Sequence, residues 1–190
     1  MKTINKNYDN EIIIKNSRFI CYLIKINSEN INDNLEEIKK IHPKATHYCY
    51  GYIYNDIKKS NDDGEPSGTA GFPILNVIEK ENLNHILVIV VRYFGGIKLG
   101  AGGLVRAYTK SVTETLKQCN YINLKKGYKI SINFEYKDEK NTNYIIRNSN
   151  IIKKEYNDDI YYEVLINEET LKKLSSYNIK ILEETLVEED

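Results

Sequence analysis

Two short stretches hold the residues best suited to chemistry. One is Asp62-Asp63-Gly64-Glu65-Pro66, followed by Ser67 and Thr69. Three carboxylates in four positions can hold a hard cation or serve as acid and base. The other runs from Val91 to Tyr108 and reads VRYFGGIKLGAGGLVRAY. Arg92, Lys98 and Arg106 supply cations, with Lys110 just beyond, and Tyr93 and Phe94 supply aromatic rings. Gly95, Gly96, Gly100, Gly102 and Gly103 are half of the protein's ten glycines. A glycine-rich turn entering a helix can offer backbone amides to an anion, where the helix dipole favours negative charge. Arg and Lys side chains beside it reach phosphates, and aromatic rings stack on bases.

Each stretch also has an architectural reading. Asp-Gly and Glu-Pro are turn dipeptides, and carboxylates ahead of a helix satisfy its free amides. The glycines could make only a tight strand-to-helix connection. The stretch matches neither G-x-x-x-x-G-K-[ST] nor G-x-G-x-x-G, the two common nucleotide loops. No nucleophile–base pair accompanies the carboxylates. The acidic loop could instead pair with Arg92 or Arg106 and fix them in place. His47, Ser67, Thr69 and Tyr108 are supporting candidates. His42 and His47 lie five apart on different elements, so they are not a metal pair by spacing. Cys21, Cys49 and Cys119 are widely separated, with no C-x-x-C. They suggest neither a disulfide framework nor a zinc site, and reduced thiols suit the cytosol. No cofactor and no metal is expected.

The elements that must position these residues follow from periodicity. Residues 11–15 and 18–26 read as strands, with a turn at Asn16-Ser17. Residues 28–41 read as a helix capped by Ser28, with Ile31, Leu35, Ile38 and Ile41 on one stripe. Residues 45–54 form a tyrosine-rich strand, and 55–66 a polar loop. A helix follows to about 81, capped by Ser67 or Thr69, with Pro73 in its first turn. Residues 85–94 are apolar at successive positions, which predicts a central strand covered on both faces. A helix over 103–118 places Leu104, Tyr108, Val112 and Leu116 inward. After a polar connector, Asn120 to Gly127, come a strand (128–136), a helix (138–149), strands (151–155 and 160–166), a helix capped by Asn167 and a strand (179–187). That βαββαβ order is the ferredoxin-like pattern.

Composition sets the outer bounds. Of 190 residues, 41% are hydrophobic and 11% aromatic, enough for real cores. Lys+Arg and Asp+Glu are both 27, but residues 1–125 hold 17 against 13 and residues 126–190 hold 10 against 14. The first part is therefore the better suited to a polyanion. The start of the chain has no apolar signal region and the longest apolar run is six residues, so neither secretion nor membrane insertion is expected.

DDGEPSGTAGFPIL at 62–75 and VVRYFGGIKLGAGGLVRAY at 90–108, preceded by HPKATHYCY at 42–50, resemble the two signature motifs of the IMPACT/YigZ family. The resemblance covers residues 1–120, and 128–190 resembles the ferredoxin-like C-terminal domain of the bacterial YigZ-type members. Eukaryotic members carry an N-terminal RWD domain instead. The resemblance implies an α+β fold in two domains. The first would be a split βαβ domain like that of a small-subunit ribosomal protein and domain IV of elongation factor G. The second would be like domain V of that factor. The leading expectation is a cytoplasmic, non-enzymatic, translation-associated regulator that binds RNA or the ribosome through the basic glycine loop. The rivals are a hydrolase-like enzyme acting on a phosphorylated small molecule through Asp62, Asp63 and Glu65, and a protein-partner module.

Overall fold

The computed structural model of the chain describes residues 1–189. The chain divides after Ile122 into two units. The first runs β1 (Lys2–Ile4), β2 (Tyr8–Ile14), β3 (Ser17–Lys25), α1 (Asn32–Ile41), β4 (His47–Tyr54), β5 (Ile57–Asn61), α2 (Gly71–Lys80), β6 (Ile86–Tyr93) and α3 (Ala101–Leu116). Its sheet has the order β2-β3-β6-β4-β5, with every neighbouring pair antiparallel. β3 and β4 thus run parallel with β6 inserted between them, a split βαβ arrangement.

The apolar run explains why β6 is central. Successive strand side chains point to opposite faces, so Ile86 to Val91 needs cover on both. Ile86, Val88 and Val90 pack with Ile74 and Ile78 of α2 and Tyr108 and Val112 of α3. Leu87, Ile89 and Val91 pack on the other face with Ile38 of α1. All six are 0% exposed, and each such side chain contributes roughly 1.5–3 kcal/mol on burial.

Several boundaries differ from expectation, each for a physical reason. Residues 55–66 are not all loop, because Ile57–Asn61 forms β5 on the sheet edge. That strand is almost wholly exposed and carries Lys58 and Lys59, so apolar alternation could not reveal it; lysines on an edge discourage further pairing. Ser28 does not cap α1, which begins at Asn32 without a side-chain cap, and Ile41 is exposed. α3 starts and ends two residues earlier than the pattern implied.

The second unit contains most of β7 (Tyr121–Phe134), then α4 (Glu139–Ile145), β8 (Asn150–Tyr156), β9 (Ile160–Asn167), α5 (Glu168–Lys173) and β10 (Asn178–Glu188). Strand order is β10-β7-β9-β8, all antiparallel. Ile130, Ile132, Tyr162 and Val164 pack with Ile146 and Leu174. Asn167 caps α5 as read, its Oδ1 accepting the Thr170 amide at 2.9 Å. The connector at 120–127 is mostly strand, because Lys125, Lys126 and Gly127 pair with Val187, Leu186 and Thr185. A ladder supplied from sixty residues away leaves no local pattern. Among the described residues no helix is long and apolar enough to cross a membrane.

Gly51 lets α2 sit directly on β4. A Cβ there would stand 3.0 Å from the Leu75 amide nitrogen and 3.2 Å from its Cα. Gly51→Val should therefore lift the helix and cost about 1–3 kcal/mol by overpacking, read as a lower urea midpoint. An unchanged midpoint would show that α2 is not seated there.

Candidate functional site

The acidic loop begins as a capping device. The N-cap of α2 is Ala70, which has no side chain that could accept a hydrogen bond. Asp62 does this instead, accepting the amides of Gly68 at 2.8 Å, Ala70 at 3.0 Å and Gly71 at 2.8 Å. Burial raises the Asp62 pKa, but these three amides together outweigh it and hold the carboxyl below its ordinary value. Neither Ser67 nor Thr69 caps the helix as expected: Ser67 is exposed, and the Thr69 hydroxyl donates to the Pro66 carbonyl at 2.6 Å.

Asp63 and Gly64 both take positive φ (43° and 83°), and Glu65 N closes the turn on Asp62 O at 3.0 Å. Asp63 fastens this turn to β4. Its carboxylate accepts the Tyr48 amide at 2.6 Å, and its carbonyl accepts His47 Nδ1–H at 2.7 Å. The turn sends Glu65 inward, where it is 8% exposed.

Glu65 meets the second stretch. Its Oε1 accepts Arg92 Nη1 at 2.5 Å and the Tyr108 hydroxyl at 2.7 Å. The Cys49 thiol lies 3.2 Å from that hydroxyl and 3.0 Å from the Asp62 carbonyl. Burial, together with Cys49 and Glu65 beside it, pushes the Tyr108 phenol up, so it stays a donor. Burial pushes the Cys49 thiol up to about 12, so it is no thiolate nucleophile at neutral pH. Of the two roles the sequence offers Arg92, phosphate contact and pairing with the acidic loop, the structure takes the second: the side chain is buried, at 5% exposure, against Glu65. Its guanidinium carbon lies 5.4 Å from the Phe19 ring centroid and 5.6 Å from that of Phe94. Its Nε is buried without a partner.

The rest of the glycine stretch divides between the surface and the opposite sheet face. Tyr93 and Phe94 do not share a stacking platform. Tyr93 points to the α1 side, where its hydroxyl meets His42 Nδ1 at 3.0 Å and Arg18 lies 5.1 Å from its ring centroid. Phe94 is 46% exposed. Gly95 is a close approach, since a Cβ would fall 2.1 Å from the Asn16 carbonyl carbon; its amide donates to Ser17 Oγ at 3.1 Å. Gly96 and Gly100 take positive φ in open space. Gly102 and Gly103 lie in the first turn of α3, whose N-cap Gly100 offers no side chain and whose first turn has no acid. Arg106 folds back over that turn, its Nη1 3.6 Å from the position a Gly102 Cβ would take. Lys98, Arg106 and Lys110 are exposed.

One group escaped sequence reasoning. His42 lies between two phenols, with Tyr22 at 2.6 Å from Nε2 and Tyr93 at 3.0 Å from Nδ1. Burial, then Arg18, lowers its pKa against a smaller opposing effect of Glu11. Only its place at the end of an apolar helix hinted at packing; Tyr22 and Tyr93 are 20 and 51 residues away. Among the described residues no three His, Cys, Asp or Glu side chains gather as a metal-ion set.

The two stretches and the unit that holds them have known relatives. The Impact N-terminal domain family matches residues 15–116. The IMPACT family member YvyE of Bacillus subtilis (strain 168) is 39% identical over 181 residues, covering 92% of this chain and 83% of that protein. YigZ of Escherichia coli (strain K12), also an IMPACT family member, is 40% identical over 111 residues, 55% of this chain and 54% of that one. A solved structure described as a hypothetical protein superposes over 100% of this chain and 98% of its own, at TM-score 0.69 and 26% identity.

Arg92→Met strands Glu65 in the interior and should cost about 3–5 kcal/mol, as removal of one partner of a buried pair does. Asp62→Ala should cost about 1–2 kcal/mol, the size of a lost cap. The Asp62 term has a pH signature. A carboxyl held low in the folded state contributes fully above its unfolded pKa, about 3.9, and that contribution is lost as pH falls through the folded value. Urea titrations should show the gap between the native chain and Asp62→Ala narrowing below about pH 4; a gap constant down to pH 2 would refute the assignment.

Proposed function

The chain belongs to the IMPACT family, and from that premise we propose that it is a non-enzymatic, translation-associated regulator that binds RNA or the ribosome in the cytoplasm. The observation that carries the binding reading is the start of α3. Its first-turn amides have no side-chain cap, and the turn itself holds no acidic residue. Lys98 and Arg106 stand beside them, exposed and, among the described residues, without an ion-pair partner. A helix N-terminus flanked by cations is an anion site by its own electrostatics, and phosphate is the anion an RNA backbone repeats. Lys110 extends the basic flank one turn further, and Phe94 is an exposed ring on the same stretch of chain.

The non-enzymatic reading is supported by the fate of the carboxylates. Asp62 is taken up by three amides, Asp63 by the Tyr48 amide, and Glu65 by Arg92 and Tyr108. The likeness of the two domains to domains IV and V of elongation factor G, implied by the family resemblance, supports ribosomal contact. A protein partner is the second reading, favoured by the exposed Phe72, Phe94 and Ile97.

Salt separates the two. Phosphate contacts release counterions, so RNA affinity should fall steeply between 50 and 200 mM salt, measured by co-sedimentation with ribosomes and by titration of single-stranded RNA. Lys98→Ala and Arg106→Ala should each weaken binding and lower the salt slope by about 1. Binding that ignores salt and survives the double substitution unchanged would defeat the reading.

A further inference from the structure

Glu65 uses one of its two carboxylate oxygens. Oε1 takes both hydrogen bonds, from Arg92 and Tyr108. Oε2 faces His47 Nε2 across 3.9 Å. The state of that histidine nitrogen follows from the other one. Nδ1 lies 2.7 Å from the Asp63 carbonyl, which can only accept, so Nδ1 carries the proton and the neutral ring presents a lone pair at Nε2. Two acceptors thus face each other, too far apart to touch and close enough for one nitrogen carrying two hydrogens to bond both.

Glu65 already has its counter-charge in Arg92, so what the gap lacks is hydrogens, and a neutral amino group supplies two. His47 has 19% of its side chain exposed against 4% for Glu65, so the approach is from the His47 side. There the register places His47 opposite Arg92, Thr46 Oγ1 accepts the Phe94 amide at 3.1 Å, and the exposed Phe94 ring is 5.6 Å from the Arg92 guanidinium carbon.

We propose that the opening between His47 Nε2 and Glu65 Oε2 is a notch for the exocyclic amino group of an RNA base, with Phe94 as the ring beside which that base lies. This rests on the RNA-binding reading and deepens it: the exposed cations hold phosphate, and the notch reads a base edge. Cytosine N4 and adenine N6 are two-hydrogen donors, whereas uracil turns its O4 lone pairs toward the same place. Two acceptors facing a third repel, so the notch prefers amino-bearing bases over uracil.

The test compares two pyrimidines, whose stacking areas are alike. Octacytidylate should bind the full-length chain about tenfold more tightly than octauridylate, the size of one good base contact. His47→Ala should bring the ratio within twofold, and that ratio, rather than the affinity for either octamer alone, is the readout. A third probe needs no variant: octamers of N4,N4-dimethylcytidine keep the ring and lose both hydrogens, and should bind like octauridylate. Equal affinity of the native chain for the cytidine and uridine octamers would overturn the notch and leave the phosphate site standing. So would a preference that persists in His47→Ala or with the dimethylated probe. Failure to bind any of the three would overturn the RNA reading and the notch with it.

Discussion

The first unit is arranged around one buried ion pair, Glu65 with Arg92. A charge that deep is tolerated only with a partner, and the partners come from different parts of the chain. Arg92 stands near the end of the central strand, Glu65 on a loop after the edge strand, and Tyr108 on the helix beyond the glycine loop. Much of the Coulomb gain in such a pair is offset by desolvation. Its consequence is therefore geometric. Glu65 reaches Arg92 only if Asp63 and Gly64 take positive φ, and that turn is in turn held by Tyr48 and His47 of β4. Four elements are aligned by satisfying one carboxylate.

This arrangement divides the sheet by face. The α2–α3 side carries Arg92, His47 and Cys49 at the rim of its core, while Tyr22, Tyr93 and His42 form a separate hydroxyl–imidazole chain on the α1 side. Adjacent residues in the glycine stretch consequently belong to different environments. The exposed cations sit in neither. They project from the loop and from the outer flank of α3, whose inner flank is occupied by Leu104, Tyr108 and Val112.

What could be read in advance depended on how local the cause was. Ile86 to Val91 declares a two-faced strand in its own composition, and the inward stripe of α3 is periodic. β5 and the first half of β7 have no such signature, because each is a strand only through a partner that supplies the ladder. The sequence offers α2 two kinds of cap, the hydroxyls of Ser67 or Thr69 near its start and the carboxylates ahead of it; the structure uses the second, through Asp62, eight residues before the Ala70 amide. The sequence offers Arg92 two roles, phosphate contact and pairing with the acidic loop, and cannot choose between them because the carboxylate that buries it lies 27 residues away. The separation of Tyr93 from Phe94 was within reach, since the alternation of a strand already sends neighbours to opposite sides.

The contact of Gly95 with the β2–β3 turn bears on how the chain can vary. Two-residue hairpin turns on a surface ordinarily tolerate lengthening. This one, with Lys15 and Asn16 at positive φ, acts as a spacer of set length, because the backbone of Asn16 lies where any Gly95 side chain would go. One residue inserted there would move the base of the cationic loop while leaving every residue of that loop intact. Chains that keep the loop's function should keep that turn at two residues, whatever residues fill it.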